Sequence, residues 1–230
     1  MRLRLQFEKT GAIRFTSHKD IVRIFQRCFA ACEIPMCFSE GFHPHMRMSF
    51  ASPLKTGWAS DAEYMDIYVE RPPGPLAEHC NCRLPQGLRI THVTIVPEGA
   101  LKLANDICAA NYEVKIQAED VFGPTANGTD NELHAAEVRK RIVECAERLI
   151  REDMPRAFDV EVAIDGDRLG FTYTSTMLSG RVVTPDDLVE GALGDPSTFS
   201  VPPKVRRLAQ FVERDGTYLS PVDKGALQKL

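Results

Sequence analysis

The sequence predicts an α+β fold made of two ferredoxin-like βαββαβ halves with antiparallel sheets, residues 1–98 and 110–230. Three observations carry this reading. Short segments alternate apolar and polar residues, longer ones repeat apolar residues at helical spacing, and the same order of elements runs through twice. A chain of 230 residues has room for one large domain or two small ones.

The first strand sets Leu3, Leu5 and Phe7 on one side and Arg2, Arg4 and Gln6 on the other. Thr10-Gly11 interrupts it, and Ile13-Arg14-Phe15 reads as its continuation, a hairpin or a bulge. A helix then opens at Thr16-Ser17, with Ile21, Ile24, Phe25, Cys28 and Cys32 as its apolar stripe, and Pro35 closes it. Extended pieces at 34–39, 47–52 and 62–70 follow, then a short helix over 76–84 and a strand over 88–96. Residues 97–110 read as a connector. The second round has a strand at 112–116, a polar loop around Asn127-Gly128 and a long helix over 133–150. A hairpin follows around Asp165-Gly166-Asp167, then a helix capped by Thr184 and strands at 205–212 and 217–219.

Composition excludes several classes of protein. With 43% hydrophobic and 26% charged residues the chain is neither disordered nor fibrous. No stretch approaches the roughly 18 apolar residues of a membrane span, and the first residues alternate instead of forming a signal-peptide core. A cytoplasmic protein with no membrane partner and reduced thiols is expected. The net charge of -4 argues against indiscriminate coating of nucleic acid, yet residues 1–58 carry an excess of +5 on an otherwise acidic body. One anion-facing surface is the simplest account.

Two short clusters carry chemistry. Ser17-His18-Lys19-Asp20 has the shape of a capping box, which explains Ser17 and Asp20 without any ligand. His18 has no role in such a box; it stands where helix N–H groups attract anions, with Arg14 and Arg23 nearby. The second cluster is Gly41, Phe42, His43, Pro44, His45 and Arg47, a stiff loop holding two imidazoles. Phe42 either anchors this loop in the core or stacks on a planar ligand. His18, His43 and His45 form a candidate divalent-metal set, against the plainer expectation of no cofactor. Cys28, Cys32 and Cys37 are spaced C-x3-C-x4-C, which does not suit a radical-SAM cluster, and Cys28 and Cys32 fall on the apolar stripe. They read as core packing, so no iron–sulfur cluster of its own is expected. Asp61, Glu63 and Asp66 read as a solvated strand face. Lys204, Arg206 and Arg207 read as a second basic patch suited to an RNA-sized ligand.

Phe15-Thr16-Ser17-His18-Lys19-Asp20-Ile21-Val22-Arg23, Glu40-Gly41-Phe42-His43-Pro44-His45, Ser49-Phe50-Ala51, Pro53-Leu54, Gly57 and Glu63-Tyr64-Met65-Asp66 together resemble the radical-SAM-linked protein family. That family is a domain of unknown function fused to, or encoded beside, a cobalamin-binding-type radical SAM protein. His43 stands where the family usually has Asn, and Met46 where a second Pro is common. The first-helix cysteines lie outside its pattern. The resemblance implies a radical SAM partner and no chemistry for this chain. A looser, fold-level likeness connects it with the ferredoxin-like RNA-processing proteins of CRISPR systems.

The expected function is an accessory or binding protein that takes an anionic ligand or RNA through Ser17, His18, Asp20, Arg23 and the 41–47 loop. The alternative is an RNA-processing nuclease with His18 as general acid/base, or a metal-assisted hydrolase on His18, His43 and His45. One shared pocket requires 34–39 to be a strand that returns Gly41 toward His18. A strand that begins at Arg47 instead separates the two motifs.

Overall fold

The computed structural model describes residues 1–123, 131–149, 157–177, 182–223 and 226–227. It is an α+β structure with mostly antiparallel pairing and, among the described residues, six α-helices, and its contacts divide it into two units. Unit 1 is Met1–Cys108 with Ala209–Leu230, and unit 2 is Ala109–Leu208. The sequence reading counted all of 110–230 with the second half. The last segment groups with unit 1 because its bonds run there. Gln210 Nε2 donates to the Ala62 carbonyl at 2.7 Å, and the Tyr64 and Ser220 hydroxyls lie 3.3 Å apart.

In unit 1 the alternating segment forms β1 (Arg2–Lys9), the central strand. It pairs antiparallel with β3 (Ala59–Tyr68), Leu5 opposite Met65, and with β4 (Leu88–Val96), Leu3 opposite Ile95. The short β2 (Met48–Phe50) adds to β3, Phe50 opposite Met65. Leu3, Leu5 and Phe7 all face the core, where α1 (His18–Ala31) and α2 (Leu76–Asn81) pack. Phe7 and Phe25 meet edge-on with ring centroids 4.9 Å apart, a geometry that aromatic pairs favour.

The polar side of β1 is not a solvent face. Arg4 is completely buried. Its guanidinium donates to both carboxylate oxygens of Asp66, at 2.8 and 3.2 Å, and to Asp106 at 3.4 Å. The carbonyls of Leu101 and Pro221 accept its remaining hydrogens at 3.3 Å each. Arg214 reaches the other oxygen of Asp106 at 2.6 Å and also donates to the Ala226 carbonyl. The buried Arg4 thus meets two buried aspartates, with the partly buried Arg214 on Asp106 and Arg2 3.9 Å from Asp66, so the enclosed charges are answered.

Several local expectations need correction. Gly11–Phe15 is a 3-10 helix rather than a continuation of β1; Gly11 has φ of +57°, and the Thr16 N–H and hydroxyl both bond the Ile13 carbonyl. Residues 34–39 make only isolated bridges, Met36 with Val69 and Phe38 with Met46. The 97–110 connector contains α3 (Leu103–Asp106) and the start of β5, ordered by burial of Leu103 and the ion pairs of Asp106. Glu63 and Asp66 are buried rather than solvated, Asp66 against the Arg4 guanidinium.

Unit 2 places β5 (Ile107–Gln117) between β7 (Arg168–Thr176) and β8 (Lys204–Arg214), with β6 (Ala157–Asp165) outside β7. β9 (Thr217–Leu219) pairs with the unit 1 end of β8. The helices are α4 (Ala118–Phe122), α5 (Asn131–Leu149) and α6 (Pro185–Leu193). The capping box at Thr184 is present, with Thr184 and Asp187 bonding each other's backbone N–H. α5 and α6 approach so closely that a Cβ on Gly191 would stand 2.5 Å from Cys145 Sγ. The Asn127-Gly128 loop lies outside the described residues.

Arg4→Met should destabilise the chain by about 3–5 kcal/mol, because it leaves two buried carboxylates undercompensated. Urea denaturation of the variant beside wild type measures this, and a loss under about 1 kcal/mol would contradict the assigned role.

Candidate functional site

The turn from β1 into α1 builds the site. Lys9 ends the strand and Ser17 caps the helix with extended backbone, its Oγ accepting from the Asp20 N–H at 3.2 Å. The return contact runs between side chains: Ser17 Oγ donates to Asp20 Oδ2 at 2.7 Å. Arg23 donates to Asp20 Oδ1 at 3.2 Å. The Ser17 hydroxyl, aided by Arg23, holds the Asp20 carboxyl below its ordinary pKa. Arg23 is thus matched to Asp20, which reduces the charge it can give a ligand.

His18 is the first helical residue and is exposed; its ring stands edge-on to Phe50 with centroids 5.1 Å apart. It borders a small cleft lined also by Lys9, Phe50, Pro53, Glu63 and Tyr64. The enclosed space is about 20 Å³, room for a single water, so a larger ligand would sit over the mouth and insert only one small group. Lys9 is 4% exposed and donates from Nζ to the Thr16 carbonyl at 3.1 Å, beneath the helix start. Burial pushes its pKa down, and the Glu63 carboxylate pulls it part of the way back. Burial pushes the Tyr64 phenol up to about 12, so it stays a neutral hydrogen-bonding group.

The second cluster lies elsewhere in unit 1. Its loop closes on itself: the Ser39 N–H bonds the His45 carbonyl at 2.8 Å, and the Ser39 hydroxyl lies 2.8 Å from His45 Nδ1. Gly41 supplies the φ of +120° that this turn requires. Phe42 is fully exposed, neither core anchor nor covered, and His43 and Pro44 are exposed beside it. Arg47 bonds the backbone of Tyr68 and lays its guanidinium 4.3 Å over the Tyr68 ring. The loop thus leaves the sheet beside Tyr68, whereas His18 meets Phe50 opposite Met65. Three strand residues separate these points, about 10 Å. Residues 39–47 contribute nothing to the cleft lining. The strand begins at Met48, one residue from the register that separates the motifs.

The structure does not bring His18, His43 and His45 together as one group of ligand atoms. Among the described residues the histidines do not form a three-ligand group; His45 is held by Ser39 and His18 by Phe50. The group that does converge is Cys28, Cys32 and Cys80. The second basic patch also changes. Arg207 is buried in unit 2, donating to the Tyr112 hydroxyl at 3.4 Å, which leaves Lys204 as the exposed cation there.

Sequence reading missed Lys9 and the role of Glu63 and Tyr64. A lysine at a strand end carries no signal of burial; Glu63-Tyr64 belonged to the family motif, and that was the available pointer.

Ser17→Ala should cost about 1 kcal/mol of stability through loss of the cap, read from denaturant midpoints. The Lys9 shift predicts a pH effect of definite sign. Its folded pKa lies below 10.5, so between the two values the unfolded chain holds more protons and this group's contribution rises with pH. Lys9→Met should flatten that rise between neutral pH and about pH 10, measured as the difference in denaturation midpoint from wild type.

Among the described residues no helix is long and apolar enough to cross a membrane. No curated protein matches the chain. Among solved structures it resembles that of an unknown protein from Galdieria sulphuraria, with 9% identity, 90% of this chain and 97% of that one covered, and a TM-score of 0.24. A model of the uncharacterized proteins conserved in bacteria, DUF2344, matches residues 2–158. On that match, which spans more than half its length, the chain belongs to the DUF2344 family.

Proposed function

We propose that the chain is a cytoplasmic accessory protein that works beside a radical SAM enzyme and binds an anionic ligand, RNA in the first instance, over His18. The observation that carries the reading is the cleft at the start of α1. There an exposed imidazole and a buried lysine share one opening at the capped start of α1. His18 donates to a phosphate oxygen at the mouth, and Lys9 lies below it beside the Glu63 carboxylate. The 20 Å³ interior suits insertion of one phosphate oxygen or hydroxyl and no more.

The 39–45 loop has a different task in this reading. Phe42 stands fully in solvent and Phe38 is 52% exposed, an apolar tip that a protein partner would cover. The family motif, which includes Gly41, Phe42, Pro44 and His45, supports the radical SAM enzyme as that partner. Lys9, Glu63 and Tyr64 around His18 also favour one second reading, a nuclease in which His18 is the general acid/base.

Fluorescence anisotropy with a short single-stranded RNA tests the first reading. His18→Ala should weaken binding about tenfold, the value of one charge-assisted hydrogen bond. Arg23→Ala should weaken it less, since Asp20 already engages that guanidinium. Phe42→Ser should leave RNA affinity unchanged while reducing co-purification with the radical SAM partner. Equal affinity of wild type and His18→Ala rejects the site. RNA cleavage by wild type that is lost in His18→Ala selects the nuclease reading instead.

A further inference from the structure

Three thiols of unit 1 meet at the contact between α1 and α2. Cys28 and Cys32 stand one helical turn apart on one face of α1, and Cys80 comes from α2. Their sulfur atoms all lie within 4.8 Å of one another. Cys28 and Cys80 are buried and Cys32 is half-buried. Cys28 Sγ donates to the Cys80 carbonyl at 3.5 Å and Cys32 Sγ to the His79 carbonyl at 3.4 Å. Cys28 and Cys32 do lie on the apolar stripe, as core residues would. An apolar contact between two helices, however, is satisfied by alanine or valine and does not call for three sulfurs converging from both sides.

We propose that Cys28, Cys32 and Cys80 are a thiolate site for a zinc ion, with the fourth coordination position open on the Cys32 side. Tetrahedral zinc with Zn–S bonds of about 2.3 Å sets its sulfurs about 3.8 Å apart. The triangle needs to contract by about 1 Å or less per side, which small side-chain rotations provide. Binding forms three Zn–S bonds and breaks three S–H bonds, with the protons released to water. The product carries a single negative charge, whereas copper(I) on the same thiolates would carry two. One cation, Arg83, acts on Cys28 and Cys32, which matches the zinc product.

Cys28 is drawn down to about 7, chiefly by its hydrogen bond with the Cys80 thiol, with help from Cys32 and Arg83. Cys80 is pushed up, first by the same bond and then by burial, and Cys32 is raised by burial. Binding of the metal itself drives loss of the thiol protons. This site stands apart from the His18 cleft and does not depend on the RNA reading.

The test is zinc binding by the full reduced chain against a competing chelator. One zinc per chain is expected. Cys32→Ser, at the half-buried position, should keep its circular dichroism and lose at least about tenfold in affinity, while Cys82→Ser should bind as wild type does. Proton release by wild type at neutral pH should reach about two to three per zinc. That measurement stands even where a variant fails to fold. No stoichiometric zinc, release of fewer than about two protons, or unaltered affinity in Cys32→Ser overturns the site.

Discussion

Arg4 at the centre of β1 is the constraint on which unit 1 depends. Its guanidinium is fully buried and reaches Asp66 on β3, Asp106 on α3, and two backbone carbonyls, one of them Pro221. An arginine cannot shed its proton to escape burial, so every donor must find an acceptor and the charge must be answered. Asp106 answers Arg4 and Arg214 together, which fastens the connector after β4 and the last segment of the chain onto the same point. The apolar side of β1 packs helices, as many strands do. The polar side decides which distant segments belong to the unit.

That arrangement also positions the candidate site. β1 runs from the ion network to Lys9, and the turn beyond it delivers Ser17 and His18 to the end of the sheet where Phe50, Glu63 and Tyr64 lie. Glu63 and Tyr64 of β3 are buried there and form part of the cleft lining. A capped helix start, a buried lysine and an exposed imidazole then share one small opening. The 39–45 loop is closed by the contacts of Ser39 with His45, and its phenylalanine is fully exposed.

Much of this was legible in particular residues. Leu3, Leu5 and Phe7 announced the buried face of β1, and Thr184 announced α6, because both signals are local: a period of two and a cap three residues from its partner. Ser17 was legible for the same reason. The burial of Glu63 and Lys9 was not, since a strand's second face is polar by pattern whether water or another segment covers it. Cys28 and Cys32 read as a helix stripe and do pack as one; Cys80, some fifty residues on, completes the sulfur triangle only through the docking of α2.

By itself the sequence determined the main strands and the longer helices, the caps at Ser17 and Thr184, the apolar face of β1 and the family motif around His18, since all of these rest on neighbours a few residues apart. The tertiary structure alone decided which polar side chains are enclosed, that the histidines of 43 and 45 stay with their own loop, and that three cysteines meet. Those outcomes depend on register, where Met48 rather than residue 34 begins the strand, and on pairs of groups up to two hundred residues apart, as with Arg4 and Pro221. No local period encodes such distances.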